Sequence, residues 1–121
     1  WYVYPLVYFK LTKKEHVIFE AKTGLKIKIR VNSTDLMALT HVWVIQEYSN
    51  SDFDIHDNDI VIDVGAHIGE YTLLGAKLVG DKGLVVSIEP DHDSVKSLKE
   101  NIILNNFKNC LILENSAILR V

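Results

Sequence analysis

Short apolar runs alternate with polar turns along this chain, and their period changes partway. Val17, Ile18 and Phe19, a turn around Lys22, Thr23 and Gly24, and the alternation Leu25-Lys26-Ile27-Lys28-Ile29-Arg30-Val31 predict a β-hairpin whose second strand is half solvated. Ser33 or Thr34 could cap a helix carrying Leu36, Leu39 and Trp43, although Val42-Trp43-Val44-Ile45 is equally strand-like. From residue 59 onward the pattern becomes strand, helix, strand, helix, strand. The apolar run ending at Val64, the run Leu84 to Ile88 and the run Cys110 to Leu113 are the strands. Leu74 and Leu78 recur at helical spacing before a stop at Gly80. Val95, Leu98 and Ile102 mark one face of a second helix over 93–105, with Asp91 or Asp93 as its cap and Lys96, Lys99 and Glu100 outward. Asn105, Asn106 and Asn109 mark the next turn. Parallel strands joined by right-handed helical crossovers place all three strand tips on one edge of a sheet. The pattern therefore predicts an α/β fold with a partly parallel sheet behind an N-terminal hairpin and helix.

The chemistry gathers at those tips. In Val61-Ile62-Asp63-Val64-Gly65-Ala66-His67-Ile68-Gly69 an acid precedes G-x-x-x-G, so a strand opens through a sharp turn into a helix. The helix N-terminus offers unpaired N–H groups to polar or anionic ligand groups. The spacing is neither the dinucleotide fingerprint nor the phosphate loop. Asp63, two residues before the first glycine, would repel a pyrophosphate and suits a cationic or hydroxyl-bearing ligand such as S-adenosylmethionine. Glu89 ends the second run, where an acid about 20 residues beyond a glycine turn can hold a ribose diol. Glu114, Asn115, Ser116 and Ala117 end the third. Each feature also has a plain structural reading: Asp63 can cap the helix that follows, Glu89 can be an exposed strand-end acid, and the glycines can be ordinary turn residues. Their correct order along the chain favours one ligand site, with Asp63 and Glu89 facing the surface.

Residues 59–117, about half the chain, resemble the first half of a class I S-adenosylmethionine-dependent methyltransferase of the FkbM type. The resemblance is carried by the run from Asp59 to Gly69, by Tyr71-Thr72-Leu73-Leu74, by Ile88-Glu89-Pro90, and by Leu98-Lys99-Glu100-Asn101-Ile102 with Asn105 beyond. It implies a Rossmann-like fold and S-adenosylmethionine as cofactor. Asp63, Gly65, Ala66, His67 and Gly69 would border the methionine moiety, Glu89 would take the ribose, and Pro90 and Asp91 would border the adenine. Asn115, Ser116 and Ala117 would meet the adenine edge, and Tyr48, with Gln46 and Glu47, would close over the carboxylate end. His67 stands where the family has asparagine. The implied reaction is methyl transfer to an oxygen of a sugar, polyketide or other small metabolite. Because the family's fold continues through further strands, the resemblance also implies a fragment: residues 1–58 packing on a half-domain, 59–121, whose first strand has an open edge that could pair with another chain.

Composition narrows the alternatives. The 121 residues are 48% hydrophobic and 24% charged, with a net charge of −3. This is no basic nucleic-acid footprint, so the lysines at 10–14 and along 22–28 read as a solvated face and nucleic acid is not the expected partner. The aromatic stretch 1–9 is interrupted by Pro5 and falls short of a membrane span. His16, His41, His56 and His92 lack metal-ligand spacing, and no metal site is expected. A lone thiol, Cys110, is compatible with a reducing cytosol, and a cytoplasmic location is the reading. Besides the enzyme reading stands a catalytically silent cofactor- or partner-binding module; a nicotinamide oxidoreductase is disfavoured by the glycine spacing.

Overall fold

The computed structural model of the chain describes residues 15–45 and 54–114. Strands β1 (His16–Glu20) and β2 (Lys26–Arg30) form the expected antiparallel hairpin, with His16 opposite Arg30 and Glu20 opposite Lys26. Gly24 turns the chain at φ 83°. Alternation sorts β2 as the sequence implies: Ile27 and Ile29 are buried, while Lys26, Lys28 and Arg30 stay partly exposed.

Helix α1 (Asp35–Leu39) follows. Thr34 holds the N-cap position without a side-chain cap; the Ser33 hydroxyl accepts from the Asp35 N–H at 3.1 Å instead. The Thr40 hydroxyl donates to the Leu36 carbonyl at 2.8 Å, and from Thr40 to Ile45 the chain widens into a π-helical turn. Hydroxyl back-bonding of this kind competes with the regular ladder. Residues 42–45 are therefore helical, not a strand.

Strands β3 (Ile60–Val64), β4 (Leu84–Glu89) and β5 (Cys110–Glu114) form a parallel sheet in the order β3-β4-β5. Helices α2 (Glu70–Val79) and α3 (His92–Leu104) make the crossovers. The α/β architecture expected from the pattern is the one observed. In α2, however, the buried stripe is Thr72, Leu73, Gly75, Ala76 and Val79, whereas Leu78 is 46% exposed and Leu74 half-buried. The helix is apolar on most sides, so periodicity alone could not choose its inner face. The small residues choose it, because a Cβ on Gly75 would already lie 3.4 Å from Val85 Cγ2.

Both helices cover the same sheet face. Ala76 and Val79 pack on Val85, while Leu98 and Ile102 of α3 share a core with Ile68, Leu73, Ile27 and Ile29, against which Ile112 also packs. The hairpin thus forms an outer layer on the helices. Asn101 fastens it: its Oδ1 accepts from Lys28 N at 2.7 Å, and its Nδ2 donates to the carbonyls of Ile68 (2.9 Å) and Lys28 (3.1 Å). Asn105 repeats the clip on Lys26. Among the described residues β3 has no neighbour on its outer side. The second sheet face is also open, with Ile60, Ile62 and Val64 more than 60% exposed. Among the described residues no helix is long and apolar enough to cross a membrane.

Candidate functional site

The register of the sheet assembles the loop after β3. Asp63 lies beside Ser87, and Val64 beside Ile88. The chain then turns at Gly65 (φ 80°), and the N–H groups of Gly65 and Ala66 both donate to the Ile88 carbonyl, at 2.8 and 3.1 Å. The next donor, His67 N–H, meets Glu89 Oε2 at 2.7 Å, while Glu89 Oε1 accepts from Asp91 N–H at 2.9 Å. Glu89 is therefore a brace between the glycine loop and the head of α3, not an exposed strand-end acid; it is 7% exposed. Carboxylate oxygens have further lone pairs, so a diol can still bind there.

The two glycines serve different needs. A Cβ on Gly65 would meet nothing within 4 Å, so the loop backbone there faces open space that a ligand can fill. At Gly69, the N-cap of α2 with φ 102°, a Cβ would lie 2.7 Å from Leu98 Cδ1. Gly69 thus permits the approach of α3 and adopts a backbone that other residues rarely accept.

Asp63 is 8% exposed and accepts from the Thr72 hydroxyl at 2.5 Å; that hydroxyl also meets Ser87 Oγ at 2.8 Å. The Thr72 backbone N–H, in the first turn of α2, hydrogen-bonds to it as well. Asp63 therefore caps the helix from the neighbouring strand. The expectation that it faces the surface is corrected, and so is the picture of a helix N-terminus left free for an anion. Burial pushes the Asp63 carboxyl above the usual carboxylate range, the Thr72 bonds oppose this, and Glu70 and Glu89 push it further up.

At the head of α3, Asp91 is the cap, its Oδ2 accepting from Ser94 N–H at 2.8 Å; this bond holds its carboxyl below the usual range. Pro90 is exposed beside it. Asp63, Gly65, Ala66, His67, Gly69, Glu89, Pro90 and Asp91 are thus brought near one another at the carboxyl edge of the sheet. Tyr48, Asn115, Ser116 and Ala117, like Gln46 and Glu47, lie outside the described residues. Glu114 stands in register with Glu89 and binds His92 Nδ1 at 2.7 Å and Lys99 Nζ at 3.0 Å.

Sequence reasoning gave no role to Thr72, Ser87, Arg30, Asp35 or Glu70. Asp35 is fully buried, and Glu70 is 3% exposed with its Oε1 3.1 Å from His67 Nδ1. Trp43 Nε1 donates to the Glu70 carbonyl at 2.8 Å. The hydroxyls of Thr72 and Ser87 inside otherwise apolar runs were the available signal, since a buried hydroxyl needs a partner. The lysines of β2 answer carboxylates: Lys28 pairs with Glu100 at 2.9 Å and Lys26 with Glu20 at 3.8 Å.

Known proteins share this fold. TYW2 of M. jannaschii, solved with AdoMet, is similar over 91% of this chain and 48% of that one, with 24% identity and a TM-score of 0.61. Trm5b of Pyrococcus abyssi is similar over 90% of this chain and 31% of that one, at 23% identity and a TM-score of 0.60. A probable cobalt-precorrin-6B C(15)-methyltransferase of Sulfurisphaera tokodaii is 35% identical over 63 residues, which are 52% of this chain and 33% of that protein. The chain spans a third of that relative's length and less than half of either structure's. Residues 12–118 match the TRM5/TYW2 methyltransferase domain. The chain therefore belongs to the TRM5/TYW2 methyltransferase domain family, within the class I S-adenosylmethionine-dependent methyltransferases that the resemblance implied.

Proposed function

We propose that this chain is the S-adenosylmethionine-binding part of a methyltransferase acting on RNA. The observation that carries the cofactor reading is the loop itself. Glu89 and Asp63, both buried, flank a turn whose Gly65 backbone opens onto unfilled space. Asp63, Gly65, Ala66, His67 and Gly69 would hold the methionine end, whose ammonium and sulfonium suit the surrounding acids. Glu89 would take the ribose, and Pro90 and Asp91 would flank the adenine. Tyr48, Asn115, Ser116 and Ala117 would carry the remaining contacts that the resemblance implies. Bound there, S-adenosylmethionine supplies an electrophilic methyl group. The chain's own residues bind and orient it, and placement of the acceptor then accounts for much of the rate.

The family match supports the RNA acceptor, since related TRM5/TYW2 enzymes act on RNA. It departs from the expectation of no nucleic-acid partner, with which the family conflicts only weakly. A small-metabolite oxygen acceptor, as in FkbM-type enzymes, is the second reading. It is favoured by the net charge of −3 and by the carboxylate partners of Lys26 and Lys28, which leave these two lysines already paired. We place either enzyme in the cytoplasm, and the described part of residues 1–58 packs on 59–121 through Ile27 and Ile29.

Calorimetric titration of this polypeptide with S-adenosylmethionine, and with NAD as comparison, tests the cofactor reading. Micromolar binding to the wild type, weakened at least about tenfold in Glu89→Gln, is expected, as one lost hydrogen-bonding pair to a charged group is worth about 1.5–3 kcal/mol. A folded chain that ignores S-adenosylmethionine, or prefers NAD, overturns it. Transfer of a labelled methyl group to unmodified RNA, set against small hydroxylated metabolites, separates the two acceptor readings.

A further inference from the structure

Arg30 lies on the hairpin, yet its guanidinium reaches the glycine loop. Its Nε and Nη2 donate to Asp35 Oδ2 (3.0 Å) and Oδ1 (2.8 Å), while its own backbone N–H donates to Asp35 Oδ2 at 2.8 Å. Nη2 also stands 3.0 Å from His67 Nε2. A guanidinium has donors and no acceptor, so the nitrogen facing it must carry a lone pair. The imidazole proton then sits on Nδ1, which points at Glu70 Oε1 3.1 Å away. The contacts therefore fix the tautomer as well as the position of the ring. His67 itself sits at φ 51°, in the left-handed region, where a residue other than glycine is strained and persists only when its surroundings hold it.

We propose that Arg30 and Asp35 are positioning residues for the cofactor loop: with Glu70 on the opposite side they clamp the neutral His67 ring and so set the turn whose backbone meets the ligand. The hairpin then does more than pack. A merely structural Arg30–Asp35 pair would account for the burial of Asp35 but not for the histidine seated between that pair and Glu70. The loop residue is also tied by its N–H to Glu89, so displacement of the ring moves the acid proposed to hold the ribose. Histidine here does by its two nitrogens what asparagine, the residue implied by the family resemblance, can do by its carbonyl and amide. Both residue types tolerate φ above zero.

Protonation opposes the clamp. Facing His67 among the described residues are Arg30 from β2, Asp35 from α1, Glu70 from α2, Glu89 from β4 and Asp91 at the head of α3. A second ring proton on Nε2 would confront the Arg30 donor and turn instead to Asp35 Oδ1, now 3.4 Å away. The hydrogen bond to Glu70 raises the His67 pKa above 6.5, so the exchange comes at a higher pH than for a free imidazole. Cofactor affinity is then expected to fall as the pH is lowered through that value.

The proposal rests on the S-adenosylmethionine reading, and two measurements keep the two apart. Nitrogen-15 NMR of the His67 ring in the ligand-free chain at pH 8.5 should show a protonated Nδ1 and an unprotonated Nε2; the opposite tautomer overturns the clamp whatever the chain binds. Calorimetry with S-adenosylmethionine should show about tenfold weaker binding in His67→Ala and in Arg30→Met. His67→Asn should recover most of the loss and abolish the decline in acid. If Arg30→Met fails to fold because Asp35 is left buried and unpaired, Arg30→Met with Asp35→Leu removes both charges and keeps the question open to measurement. Wild-type affinity in either Arg30 variant, or in His67→Ala, overturns the proposal. Absence of binding by the wild type, with the expected tautomer present, is failure of the cofactor reading instead.

Discussion

The two faces of the parallel sheet differ in composition in the direction opposite to their cover. The face under α2 and α3 carries Val61, Val85 and Ile112 but also Asp63, Ser87, Glu89 and Glu114. The other presents Ile60, Ile62, Val64, Leu84, Val86, Ile88, Leu111 and Leu113 in register and nothing polar. On that face Ile60 is 72%, Ile62 64% and Leu111 49% exposed. A sheet face in water is normally the polar one, and parallel sheets are covered on both sides. The polar residues of the covered face are there because each has a partner: Asp63 with Thr72, Ser87 with Thr72, Glu89 with the loop amides, Glu114 with His92 and Lys99. Chemistry has been placed where it can be oriented. The apolar face has the composition of a buried surface, and it continues at the free edge of β3.

The largest effect is expected where the covered side is fastened. Asn101→Ala removes three hydrogen bonds and strands the buried Ile68 carbonyl, so it should cost about 2–4 kcal/mol in urea unfolding. A loss below about 1 kcal/mol would mean that the hairpin is held by its apolar contacts alone. The faces themselves can be compared directly. Val85→Ala, fully buried, should cost about 2 kcal/mol, whereas Ile62→Ala, 64% exposed, should stay within about 0.5 kcal/mol. Equal losses at the two positions would show that the apolar face is covered in solution.

A smaller effect comes from charge on the covered face. Burial holds the folded pKa of Asp63 above the ordinary 3.8 of an aspartate, so its contribution to stability is present below that pH and is lost as pH rises through the raised value. Asp63→Asn keeps an acceptor for Thr72 without the charge. Thermal melts between pH 4 and 7 should therefore decline less with pH in this variant than in the wild type; parallel curves would contradict the raised pKa. Asp35 has the opposite sign. Burial raises its carboxyl, but the Arg30 and Ser33 bonds outweigh this and lower it, so its contribution is present above pH 3.8 and lost in stronger acid. Smallest in structural terms is Cys110, on the covered face in register with Val85, whose thiol burial pushes up to about 11. Iodoacetamide at pH 8 should leave it largely unmodified until the chain is denatured. Rapid labelling of the folded protein would show that this face opens.

Residue types and their spacing determined a good deal of this protein. Alternation in 25–31 specified the hairpin, the three apolar runs specified parallel strands, and D-x-G-x-x-x-G specified where a sharp glycine turn joins strand to helix. These are local or fixed by chain handedness, so one strand's neighbours suffice to read them. Tertiary structure alone decided the rest. Which stripe of α2 is buried depended on Gly75 meeting Val85, not on the positions of Leu74 and Leu78. Whether 42–45 is strand or helix depended on the Thr40 back-bond and on Trp43 reaching the Glu70 carbonyl. Asp63 proved to be a cap buried under Thr72, and Arg30 with Asp35 came to hold His67 across 37 residues of chain. Contacts of that separation leave no period in the sequence, because the partners share neither a helix face nor a strand register. They come from packing the hairpin on α3, and only the folded chain brings them together.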